Sequence, residues 1–346
     1  MSATDGFAGG SAWTAPPPIR HAYPLAQRDA SLGAAIGLMM QSLPYAAARF
    51  GVLFGASAAG IIWLCVMVGG AAWLGTHVAH AFGWVWALIC LAAAGFVWGT
   101  LLRYALHLID CGHVAVLTDL ITTGRVGNGG ESMFAYGRRV VLARFGQVNL
   151  LFGLNALVRG ILQAFHATLD WIGELLPIPG LDGLAKLLDI VLRAATRYLD
   201  KVIFSYTLAR GDGDPWQISR EGIVYYCQNA RPILVTAVRV VVFEYLLTGL
   251  LWVALLAPAG LVTLALPHAV RESGAVVTLV IAALLAASLR AAFIKPLFLI
   301  MMMVRFHTAI EGQPINAEWD ARLASMSERF RGLGQQAWQG RPAPAE

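Results

Sequence analysis

Val52–Leu74 reads VLFGASAAGIIWLCVMVGGAAWL, without one charged side chain, and after a short break Phe82–Leu102 is again uncharged. As helices rising about 1.5 Å per residue, both runs can cross a hydrocarbon core of about 30 Å. They decide the class, an all-α integral membrane protein, because a bundle of such helices satisfies its backbone hydrogen bonds internally, as lipid demands.

Composition points the same way. Apolar residues make up 58% of the chain and charged ones only 13%, against about 25% charged in an ordinary soluble domain, and mean hydropathy is +0.64. That argues against a soluble enzyme. The net charge of +5 and pI near 9.2 come from scattered basic residues rather than a dense Lys/Arg block. Membrane topology explains them and no nucleic-acid partner is expected. Cys65, Cys90, Cys111 and Cys227 stand singly and read as small hydrophobes, not as a disulfide or zinc framework. Residues 1–30, with Pro16, Pro17 and Pro18, lack the layout of a cleavable leader and read as a mobile cytoplasmic tail.

A transmembrane domain over 31–304 is predicted to hold six spans, at about 52–74, 82–102, 148–170, 181–208, 232–256 and 274–304. Pro258 is expected to end the fifth, while Arg290, Lys295 and Pro296 mark a tilt, a kink or an emergence in the long sixth. The fourth carries Lys186, Asp189, Arg193, Arg197, Asp200 and Lys201 as a stripe, so its first half either crosses or lies flat on the surface. Arg103, Arg125, Arg138, Arg139 and Arg144 follow span two, and Arg210, Arg220 and Arg231 follow span four. Gly75–Ala81 holds no Lys or Arg. By the positive-inside rule both termini are cytoplasmic and the protein is integral to the plasma (inner) membrane. Residues 305–346 form a cytoplasmic tail in which Trp319, Leu323, Met326 and Phe330 fall at helical spacing, an amphipathic helix.

Motifs for chemistry are lacking. Asp182-Gly183 followed by Lys186 imitates the start of a CDP-alcohol phosphotransferase signature, but Pro179 stands where an Asp is required. The glycine-rich residues 124–130 follow no strand and precede no Gly-Lys-Ser/Thr, so they read as a turn. His77 and His80 have no third ligand nearby in sequence and suit an interfacial role. No enzyme, cofactor or metal site is expected.

The charges inside apolar runs are more informative. Arg159, Arg239, Glu244 and Arg290 each cost several kcal/mol if they face lipid, so they must face protein, water or each other. Arg239 is about 140° around the helix from Glu244, which leaves an arginine of another span, Arg290 first, as its partner. Glu244 is then either a counter-ion or proton carrier in a substrate pathway or half of a structural salt bridge. Tyr245 and Trp252, on the same span, could add cation–π faces for an organic cation, or serve as anchors and packing. Small residues at Gly51, Gly55 and Ala59, and at Gly249 with Val253, offer faces for close helix approach.

Tyr136-Gly137-Arg138-Arg139, the run Gly146 to Arg159, Tyr198-Leu199-Asp200-Lys201-Val202-Ile203-Phe204-Ser205-Tyr206, Asn229-Ala230-Arg231-Pro232, Arg239-Val240-Val241-Val242-Phe243 and Phe298 to Glu311 together resemble the choline transporter-like family. The likeness covers about 137–313. It departs from the family in the turn Gly211 to Pro215, in the span number and in the short Gly75–Ala81 loop. The resemblance implies a carrier for choline or a related organic cation. The reading is therefore a transporter-like protein for a small organic solute, with Glu244, Tyr245 and Trp252 as substrate contacts and Arg159, Arg239 and Arg290 as charge partners. The alternative is a non-enzymatic scaffold or assembly factor whose cytoplasmic segments bind a protein partner or a second copy. Either way the lipid bilayer is a partner.

Overall fold

A computed structural model of the chain describes residues 23–127, 130–143, 198–211, 214–268, 271–327 and 330–332. Regular structure among them is helical: α1 (Leu32–Gln41), α2 (Leu43–His77), α3 (His80–Phe96), α4 (Arg103–Thr122), α5 (Met133–Ala143), α6 (198–210), α7 (Pro215–Gln228), α8 (Ala230–Ala265), α9 (Arg271–Leu289), α10 (Lys295–Ile310) and α11 (Ala317–Met326). A π-helical segment, Val97–Leu102, joins α3 to α4 without a break, and another, Arg290–Ile294, joins α9 to α10.

Among the described residues four stretches are long and apolar enough to cross a membrane: Leu43–His77, His80–Thr122, Ala230–Ala265 and Gly274–Ile310. They contain the predicted first, second, fifth and sixth spans. The predicted span 148–170 and residues 181–197 of the fourth lie outside the described residues, as does Arg159, while 198–208 falls within α6. Pro258 does not end its helix: α8 runs through it to Ala265. The proline withholds one N–H and turns no backbone toward water, a loss that a lipid-embedded helix absorbs by local adjustment. Near Arg290, Lys295 and Pro296 the helix does change, into the π-helical segment, with Pro296 at the first turn of α10, where its missing N–H costs least.

The four stretches make two hairpins of like build. Each has an outgoing helix, of 35 residues in α2 and 36 in α8, a short turn, and a returning helix interrupted by a π-helical segment. The base of the first closes where Ser42 Oγ contacts His113 Nε2 at 3.0 Å, and the N-terminal segment meets the base of the second where Arg28, before α1, forks onto Glu311, after α10. Both ends of the described chain therefore lie at the same end of the bundle, opposite the hairpin tips.

Each long helix is two environments in series. Toward the tips the apolar side chains point outward, with Ile62, Trp84, Leu88, Leu250 and Leu261 exposed as lipid would require. Toward the bases the same helices bury Val116, Leu117 and Ile121, then Ile233 and Ala237, then Phe298, Met302 and Phe306 around α6 and α7. Hydrophobic burial drives the second region, but it cannot hold helices together in the first, since lipid tails are as apolar as the side chains. Close approach does so instead. A Cβ on Gly83 would stand 2.5 Å from the Ala71 carbonyl oxygen, and Trp86 lies over Gly70. The glycines expected to make such contacts, Gly51, Gly55 and Gly249, have nothing within 4 Å of a Cβ position. They face outward, because a run that is apolar all round carries no stripe to say which side meets a neighbour.

The predicted amphipathic helix in the tail is α11, capped by Asn316 Oδ1. Leu323 and Phe330 are buried and Arg220 of α7 clasps Asp320 with two bonds of 2.9 and 2.7 Å. The apolar face is thus packed on the chain's own core.

Candidate functional site

Glu244 is 3% exposed on α8, at the level where outward-facing side chains give way to the buried base. Arg290 Nη2 donates to its Oε1 at 2.9 Å and Tyr198 donates its hydroxyl to Oε2 at 2.8 Å. The π-helical segment that begins at Arg290 and the first turn of α6 thus converge on one carboxylate. The arginine chain remains 32% exposed, while its Nε is buried without a hydrogen-bond partner.

One turn along α6 from Tyr198, Lys201 Nζ donates to Asp110 Oδ2 at 2.6 Å, and Arg49 of α2 takes Asp110 Oδ1. Both carboxylate oxygens of Asp110 are engaged by cations from different helices. A cavity of about 120 Å³ opens on this group, lined by Arg49, Asp110, His113, Tyr198, Lys201 and Lys295 among others. His113 is fixed by its bond to Ser42 and stacks on Tyr45, ring centres 5.5 Å apart. Tyr45 fits there because Gly112 and Gly137 leave it room: a Cβ on Gly112 would come within 2.8 Å of its hydroxyl.

The other sequence candidates do not join this layer. Tyr245 is 56% exposed on the outer surface of α8, since consecutive helical residues diverge by about 100° and Glu244 takes the inward direction. Trp252 is half-buried higher on the same helix and Arg239 is exposed below. Glu244, Tyr245 and Trp252 therefore do not form one aromatic-lined pocket within the chain. Sequence reasoning missed Arg49, Asp110, Tyr198 and Lys201 as a group. The available signal was opposite charge at the edges of separate apolar helices, at matching distance from the turns.

Two further polar clusters lie deeper in the base. His307, fully buried, bonds Tyr23 through Nδ1 at 2.7 Å and Ser205 through Nε2 at 2.9 Å. The Ser–His contact resembles a nucleophile and its base, but Ser205 is also fully buried, so no substrate reaches it. Glu221 of α7 accepts long bonds from Tyr206 and Gln217, both 3.4 Å, and faces Arg210 at 3.7 Å. Burial raises its pKa more than Arg210 lowers it. Among the described residues no group of three His, Cys, Asp or Glu side chains could hold a metal. No family model, curated protein or solved structure matches the chain.

Proposed function

We propose that the chain is a membrane transporter-like protein for a small organic solute, with choline or another organic cation as the first solute to test. The observation that supports this reading is the buried charged layer between the two hairpins, with Glu244 held by Arg290 and Tyr198 beside an open cavity. Ionisable groups are expensive at membrane depth and are kept where a pathway or a paired structure needs them. Repeated helical units with a site at their junction are also the common build of secondary transporters. In this proposal a cationic solute competes with the partly exposed Arg290 for Glu244, so the ion pair opens when solute arrives. The likeness of residues 137–313 to the choline transporter-like family supplies the choice of choline.

The proposal includes six spans, both termini in the cytoplasm and location in the plasma (inner) membrane. An even number of crossings outside the described residues is compatible with Arg28 and Glu311 meeting at one end of the bundle. The alternative, a non-enzymatic scaffold binding partners through its cytoplasmic segments, would have to use surfaces other than the part of α11 that docks on α7.

Uptake of labelled choline into vesicles carrying the purified protein tests the function. Saturable accumulation lost in Glu244→Gln supports it. Absence of uptake for choline and for a panel of small organic cations ends it.

A further inference from the structure

We propose that residues 23–31 are a removable strap over a closed base-side passage to the charged layer, and that the passage is the buried polar chain between α4, α6 and α10. The cavity beside Asp110 is walled by these three helices together with α2. From its wall at Val114 a line of hydrogen bonds leads toward the base through the same three helices. Thr118 Oγ1 of α4 donates to the Val114 carbonyl at 2.7 Å, and Ser205 Oγ of α6 lies 2.8 Å from Thr118 and 2.9 Å from His307 Nε2 of α10. His307 Nδ1 meets the Tyr23 hydroxyl of the strap at 2.7 Å. Thr118, Ser205 and His307 are each no more than 2% exposed, in a core that includes Leu117, Met302 and Phe306. A single polar pair would serve as glue between two helices. An unbroken polar line from a cavity wall to one covering residue instead offers water and solute a route once the helices part.

The strap is placed to control that parting, because it bolts the base ends of the two returning helices, α4 and α10, to each other. Ala26 N–H donates to the carbonyls of Ile121 and Thr122, and Gln27 N–H to that of Ile121, all at 3.0 Å, taking up acceptors that the end of α4 leaves open. On the other side Thr308 Oγ1 donates to the Arg28 carbonyl at 3.3 Å, Arg28 forks onto Glu311, and the Tyr23 ring meets that of His307 edge-on. Ile121 is about 10 Å along α4 from Val114, so the bolt lies just below the cavity wall. Its hold is light. Leu25 is the one buried residue of the strap, while the fork is open to water, with Arg28 60% and Glu311 35% exposed. A segment with so few buried contacts opens before the core around it. Which solute uses the passage rests on the transport reading; that the passage opens with the strap does not.

Ser205→Cys puts a thiol in the passage, and the native Cys227, 2% exposed on α7 in the same base, reports general loosening of the fold. The full chain in mild detergent is exposed to a quaternary-ammonium methanethiosulfonate, and modification at positions 205 and 227 is followed by mass spectrometry. Arg28→Glu sets two carboxylates against each other and should speed modification at 205 about fivefold or more, the effect of losing an exposed ion pair. Position 227 should be unchanged. Arg28→Glu combined with Glu311→Arg should restore the slow rate. Modification at 205 that ignores Arg28→Glu, that rises only in step with 227, or that the charge exchange does not slow, overturns the proposal. Should Arg28→Glu fail to fold, salt takes its place: raising it from about 0.05 to 0.5 M screens the fork and should speed modification at 205 alone, and no such rise overturns the proposal. No uptake is measured, so failure here is distinct from failure to carry choline.

Discussion

Arg290 meets Glu244 from the other helix of its hairpin, with Nη2 2.9 Å from Oε1, and the two residues do not bury equally: the arginine side chain is 32% exposed and the carboxylate 4%. Removing one partner therefore has different consequences on the two sides. Arg290→Met leaves a buried carboxylate with only the Tyr198 hydroxyl, a loss of about 3 kcal/mol or more. Glu244→Gln keeps an acceptor for Tyr198 and frees an arginine that can reach water, so its cost is smaller. The double variant should recover most of the stability, because no unpaired charge remains. Thermal unfolding of the three variants in detergent checks the ranking, and a double variant as unstable as the sum of the singles would contradict it.

Gly83 and Gly51 give a second contrast. Gly83→Ala drives a methyl group into the Ala71 carbonyl, 2.5 Å away, and must part α2 from α3. Overpacking of that kind costs about 1–3 kcal/mol. Gly51→Ala meets nothing within 4 Å and gains helix propensity, so it should be neutral or stabilising by up to about 1 kcal/mol. Unfolding midpoints in detergent separate the two, and similar losses for both would show that Gly51 also lies in an interface.

The contrast shows which parts of the molecule were readable from residues alone. Val52–Leu74 and Phe82–Leu102 declared membrane helices because a charge-free run of that length has few other homes. The helix ends were not readable: α2 begins at Leu43, beyond the charge of Arg49 that bounded the apolar run, and it buries Tyr45 and Ala46 there. Arg290 could be named as partner for Glu244, since two opposite charges inside apolar runs each need company. Arg49 and Asp110 could not, because they sit in mixed sequence at the edges of those runs and meet only after the first hairpin closes. Tyr245 misled for the opposite reason: adjacency to Glu244 in sequence is divergence on a helix. The apolar stripe of α11 was legible, but the stripe looks the same whether it meets a bilayer or α7.

Glu221 makes a pH-dependent contribution whose sign is fixed by burial. Its folded-state pKa lies above the usual glutamate value, so between that value and the folded pKa the folded state holds a proton that the unfolded chain has released. Stability from this group is complete at acid pH and declines as pH rises through that window. Glu221→Gln removes the penalty of the buried charge. The variant should therefore gain on the wild type as pH is raised from about 4 to 7. Chemical unfolding at several pH values measures the gap, and a gap that closes with rising pH would mean that Arg210, not burial, dominates.

The buried chain from Tyr23 to Val114 permits a stricter test, because its hydrogen-bond directions follow from one end. Thr118 Oγ1 donates to the Val114 carbonyl at 2.7 Å, so toward Ser205, 2.8 Å away, it acts as acceptor. Ser205 thus spends its proton on Thr118 and accepts from His307 Nε2, which must carry hydrogen. In the neutral imidazole Nδ1 is then the acceptor for the Tyr23 hydroxyl, and the fold sets the tautomer. Tyr23→Phe deletes one donor and leaves an acceptor without a partner, for a loss of about 1 kcal/mol. Ser205→Ala leaves the Nε2 hydrogen buried and unanswered, at a larger cost of about 2 kcal/mol. Because Tyr23 ties the N-terminal segment to α10, Tyr23→Phe should also speed hydrogen exchange in the amides of residues 23–30, whereas Ser205→Ala should act mainly on α6 and α10. Nitrogen-15 shifts of the His307 ring read the tautomer directly, and a protonated Nδ1 would make Tyr23 the acceptor and contradict this assignment.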